Sequence, residues 1–80
     1  MKRDPVVELV VAEVSAPLAE DGGGASVIGV EDGVAHVAYR MGHNEECPEC
    51  IMSPDDMREY IREALDGRAP HIRDVAIVSS

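Results

Sequence analysis

The apolar positions of this chain alternate between a helical and a strand spacing, and the order of those spacings predicts the fold. In "DPVVELVVAEVSAPLAEDGGG", Val6, Val10, Val14 and Leu18 recur every fourth residue with Val7 and Val11 beside them, as on one helical face. Asp4 suits the N-cap and Pro5 the first helical position, while Glu8 and Glu20 fall outside the stripe. Pro17 is expected to kink this helix or cut it short, and the glycines at 22–24 to end it. In "ASVIGVEDGVAHVAYRM" the spacing drops to two, which reads as a pair of strands around Glu31-Asp32-Gly33. Asp-Gly favours a type I′ hairpin turn, because both central residues of that turn need positive φ. Alternation then places Ser26, Ile28 and Val30 on one face, and Ala35, Val37 and Tyr39 together on another.

A second helix is predicted in "SPDDMREYIREALDG". Ser53 is placed to cap it, Pro54 fits its first turn, and Asp55 and Asp56 meet the positive end of its dipole. Met57, Ile61 and Leu65 form its buried stripe, and Gly67 offers a left-handed exit. "HIRDVAIVSS" reads as a third strand with Val75 and Ile77 facing one way. The expected fold is α+β, in the order α-β-β-α-β, with a three-stranded sheet and both helices packed on one face. Residues 1–80 are read as a single domain, without repeat or linker.

Composition narrows the class. A chain of 80 residues buries only a little over ~60% of its extended-chain surface. Its stability is then expected on the order of 4–8 kcal/mol. With no Phe or Trp and two Tyr, the core must be aliphatic. Sixteen acidic residues against seven Lys and Arg give a net charge of −9. Such a field repels phosphate backbones and anionic lipid heads, so neither nucleic acid nor a membrane surface is an expected partner. The opening "MKR…VVELVVAEVSAPLA" imitates a secretory signal, but Asp4, Glu8 and Glu13 interrupt its apolar run. The expected location is cytoplasmic, where closely spaced cysteines are more often metal-binding or redox-active than a structural staple.

Both cysteines fall in "GHNEECPECIMSP", residues 42–54, between the second strand and the second helix. Cys47 and Cys50 in a Cys-x-x-Cys spacing can reach one metal or each other, and the surrounding acids argue for an exposed loop. For thiol–disulfide exchange the attacking sulfur needs a helix N-terminus or nearby cations. "CPEC" has the Cys-Pro-x-Cys form of glutaredoxins, but the helix cap lies three residues beyond Cys50, and Glu45, Glu46 and Glu49 disfavour a thiolate. A metal removes that difficulty by deprotonating the thiols itself. It then needs more ligands than one chain's two cysteines supply, since zinc sites and iron–sulfur clusters usually take four. One solution is local zinc: His43, Cys47 and Cys50, with Glu46, Asp21 or His36 as the fourth ligand. The other is symmetric, with Cys47 and Cys50 of two protomers presenting four thiolates to one shared cluster. His71, the carboxylates Asp55, Asp56 and Glu59, and the glycine run at 22–24 carry structural readings. That run lacks the Lys-Ser or Lys-Thr of a phosphate-cradling loop. No Ser-His-Asp or Cys-His catalytic arrangement stands out, and no enzyme activity is expected.

From about Val6 to Val78 the chain resembles the C-terminal domain of NifU, the Nfu-type iron–sulfur cluster scaffold family. The resemblance rests on "LAEDGG", the "VIGVEDGVAHVAY" hairpin, "CPEC", Ile61 and Leu65 in the following helix, and "APHIRDVAIV" after it. It implies the same α-β-β-α-β fold and a labile [4Fe–4S] cluster, with [2Fe–2S] or zinc as lesser alternatives. The cluster would bridge a homodimer for delivery to recipient iron–sulfur apoproteins, in company with the assembly machinery. Ligand roles carry over to Cys47 and Cys50 alone. This chain differs from the family's usual pattern in having Ile51 where a proline commonly follows the second cysteine, and in a longer run between Gly42 and Cys47.

Overall fold

The first helix, α1 (Pro5–Ser15), starts where its sequence predicts: Oδ1 of Asp4 accepts from the N–H groups of Val6 at 3.0 Å and Val7 at 3.3 Å. A computed structural model of the chain describes residues 1–43, 46 and 51–79, with Asp21 described by its backbone alone. Pro17 lacks the N–H that would continue the α-helical ladder, and the chain tightens into a 3-10 segment, Ala16–Asp21. Gly22 (φ +78°) closes that segment, with its N–H on the Ala19 carbonyl and that of Gly23 on the Leu18 carbonyl. Val7, Val10 and Val11 are fully buried, and Val14 and Leu18 pack partly against them. Val6, expected in the same stripe, is 40% exposed. A spacing of four overshoots a 3.6-residue turn by ~40° per step, so a run of such steps drifts off the buried face.

Strands β1 (Gly24–Glu31) and β2 (Val34–Arg40) form the expected hairpin, antiparallel and joined by Asp32 (φ +52°) and Gly33 (φ +77°). Both central residues take the left-handed backbone of a type I′ turn. The expected grouping of Ser26, Ile28 and Val30 is corrected by a bulge. Val27 pairs with Val37 but Gly29 pairs with His36, so Ile28 is an extra residue in β1. The alternation slips by one there: Ala25, Val27 and Val30 pack against the core, while Ser26 and Ile28 are exposed.

The second helix, α2 (Pro54–Leu65), is capped by Ser53, whose Oγ accepts from the Asp56 N–H at 3.1 Å. Its stripe of Met57, Ile61 and Leu65 is buried as expected, and Gly67 (φ +83°) lies beyond its end. The chain then returns as β3 (Asp74–Ser79), parallel to β2, which becomes the central strand of a mixed β1-β2-β3 sheet. Ala35, Val37, Tyr39 and Val75 meet the buried stripes of both helices in one core cluster, so the helices share one face of the sheet. A short N-terminal bridge not expected from the sequence pairs Lys2 with Val30 along the outer border of β1.

Candidate functional site

The strand β2, the helix α2 and the strand β3 form a strand–helix–strand unit, and the cysteine loop is the connection at the carboxyl end of β2. Open sheets commonly place their ligands outside the carboxyl ends of parallel strands, where connections are not needed for the sheet ladder. Cys47 and Cys50, with residues 44, 45, 48 and 49, lie outside the described residues. The frame that carries the loop is described on both sides.

At the loop's first root, Gly23 lies flat against the chain leaving β2. A Cβ at this position would come within 2.9 Å of the Arg40 carbonyl oxygen and 2.9 Å of the Gly42 nitrogen. Any side chain here would push the start of the loop off the sheet. At the second root, Tyr39 is 2% exposed and its hydroxyl donates to the Met52 carbonyl at 2.8 Å. Burial moves the Tyr39 phenol above its usual pKa, so at neutral pH it remains a donor. Met52 itself packs partly against the core, and Ser53 caps α2 immediately afterwards.

Neither root was identified in the sequence as part of the site. The glycine run reads in the sequence as a helix terminator, which Gly22 fulfils, but Gly23 has a separate role as a close-packing contact. Alternation places Tyr39 on one face with Ala35 and Val37. Its polar tip was the available signal, because a buried tyrosine hydroxyl usually finds a hydrogen-bond partner.

The other candidate ligands fall in different places. His43 and Glu46 are exposed residues of the loop itself. His36 sits within β2 opposite Gly29 and Ala76, on the sheet face away from the helices. It lies four residues before the end of the strand, roughly 13 Å of extended backbone away from that end. The side chain of Asp21 lies outside the described residues. Among the described residues no group of three or more His, Cys, Asp or Glu side chains could hold a metal ion. His71 pairs with Asp4 at the opposite end of the sheet, and Asp55 and Asp56 occupy the first turn of α2. Among the described residues no helix is long and apolar enough to cross a membrane.

Fold and frame together define a class: a two-layer α+β domain whose strand–helix–strand unit carries a pair of cysteines in the sequence between β2 and α2. The chain matches the NifU-like domain over residues 7–76, which takes in most of α1, the hairpin, the cysteine loop, all of α2 and the start of β3. It belongs to the NifU-like domain family, a family of iron–sulfur cluster assembly. No curated protein and no solved structure matches the chain.

Proposed function

We propose that this chain is a non-enzymatic scaffold or carrier for a labile [4Fe–4S] cluster. The cluster is cargo, held between two protomers that each supply Cys47 and Cys50 and then passed to recipient apoproteins of the cytoplasm. The observation that carries this reading is the match to the NifU-like domain across a span that contains the chain's one Cys-x-x-Cys pair.

The ligand count supports two protomers: a cluster commonly takes four protein thiolates and each chain has two. Thiolate ligation asks the iron to displace the thiol protons, which an adjacent cation does readily. The acids of the loop work in the other direction. A thiolate-ligated cluster is commonly anionic, and each like charge at ~8 Å with an effective ε of ~40–80 costs about 0.5–1 kcal/mol before screening. Glu45, Glu46 and Glu49 therefore weaken the grip without abolishing it, which suits a protein that has to let its cargo go.

Anaerobic reconstitution with iron and sulfide tests the proposal directly. The expected product is a brown dimer with four iron atoms per two chains, and Cys47→Ser or Cys50→Ser removes the colour while leaving the far-ultraviolet spectrum unchanged. A colourless monomer that retains one zinc per chain, and loses it on His43→Ala, would replace this reading with the zinc site. Reversible conversion to an internal disulfide without metal uptake would replace it with dithiol exchange.

A further inference from the structure

We propose that Tyr39 is the positioning residue of the dithiol loop. In this view its hydroxyl, by holding the Met52 carbonyl, fixes the second root of the loop and so sets how long the cargo stays. The inference rests on the cluster-carrying reading and adds to it a residue that contributes no ligand.

Tyr39 is well suited to this task. Among the described residues it is the only buried Tyr, since Tyr60 is 48% exposed, and the sequence has no Phe or Trp. Its backbone is fixed by the β2 ladder near the cysteine end of the sheet, paired with Ala25 of β1 on one side and Ser79 of β3 on the other, and its ring is buried. From that anchorage the phenol reaches across to a residue thirteen positions on, at 2.8 Å. Met52 stands two residues after Cys50 and one before the cap of α2, so the held carbonyl lies between the second thiol and the rigid helix. Loss of the hydroxyl leaves the ring and its packing in place and removes one directional contact. A backbone carbonyl that loses its donor in a half-buried setting raises the population of open segments by about three- to tenfold. The first root is held differently, by close backbone packing at Gly23, which a hydroxyl deletion does not touch.

Tyr39→Phe is the discriminating variant, with Asp4→Ala as control because Asp4 caps α1 at the far end of the sheet. In the metal-free protein, backbone amide exchange of residues 51–53 is expected to accelerate about three- to tenfold in Tyr39→Phe. The strand amides and those of the last turns of α2 are expected to keep their wild-type rates. After reconstitution, loss of iron to an added chelator is expected to accelerate by a similar factor, with the amount of cluster first bound unchanged. Unchanged exchange at residues 51–53, or equal acceleration there in Asp4→Ala, would overturn the tether. Equal chelator rates in wild type and Tyr39→Phe would overturn its control of release and leave the carrier function standing. If wild type takes up no iron while exchange still separates the variants, the carrier function falls and the tether remains.

Discussion

The two ends of the sheet are secured in different ways. At the hairpin end, several independent contacts converge. Lys2 and Val30 exchange two backbone hydrogen bonds at 3.0 and 2.7 Å, the Arg73 N–H reaches the Gly33 carbonyl at 2.8 Å, and His71 pairs with the Asp4 carboxylate that caps α1. At the cysteine end, the Tyr39 hydroxyl holds the Met52 carbonyl, Gly23 packs closely on the chain leaving β2, and Ser15 Oγ accepts from the Ala25 N–H. The difference teaches where cooperativity is concentrated. Losing one contact at the hairpin end leaves others in place, whereas the Tyr39 hydroxyl and Gly23 each hold a different root of the loop. Segments that admit and release ligands belong to the less stable parts of a fold, and the proposed function would place one between these two roots.

The strongest way to break the contrast is to strain the cysteine end itself. In Gly23→Ala the new methyl meets backbone atoms of residues 40 and 42, which cannot rotate away as a side chain would. Destabilisation of about 1–3 kcal/mol is expected, read as a lower urea midpoint, with the loop as the first region to exchange. At the hairpin end, Asp4→Ala removes the acceptor for two helix N–H groups and is expected to cost about 1 kcal/mol. The same site predicts a pH dependence. The Asp4 carboxyl is held below its ordinary value of 3.8 chiefly by the hydrogen bond from His71, against the opposing effect of burial, with the Val7 and Val6 N–H groups assisting. A depressed folded-state pKa gives stability that is fully present above 3.8 and is lost as pH falls through the lower folded value. Asp4→Asn is therefore expected to flatten part of the acid limb of a urea-midpoint series. Asp74, lowered first by the Val75 N–H and then by Arg58, and Glu13, lowered by Arg68, add to the same limb.

The smallest effect sharpens the comparison along β3. Arg58 of α2 donates from Nε to the Val75 carbonyl at 2.9 Å and from its terminal nitrogen to Asp74 at 2.7 Å, while Asp74 accepts the Val75 N–H at 2.8 Å. These side chains occupy backbone groups on the outer border of the sheet, which would otherwise invite another strand. Arg58→Ala is expected to cost about 0.5–1.5 kcal/mol. It is also expected to bring a concentration-dependent increase in sedimentation coefficient that wild type lacks.

Local chemistry made much of this legible in the sequence. The Asp32-Gly33 turn, the Ser53 cap, the Asp4 cap and the Met57, Ile61 and Leu65 stripe each depend on residues within one turn of helix or hairpin, and each appears where expected. The Cys-x-x-Cys pair was legible for the same reason. Features that depend on register were not. The bulge at Ile28 leaves no mark beyond an apolar residue in a strand, and it reverses the inward and outward positions on its two sides. The tether from Tyr39 to Met52 and the contact of Gly23 with residues 40 and 42 join positions far apart in the chain. Their partners are set only once β1, β2 and α2 have taken their relative positions.

The occupied borders of the sheet bear on how two copies could meet. On one side Lys2 takes up both backbone groups of Val30, and on the other Arg58 and Asp74 take up those of Val75. At those two positions the sheet border is closed to a second strand. On the proposed function, two protomers joined through their cysteine loops would share the inorganic core between them, and surrendering it to a recipient would undo that joint and ready each for another round.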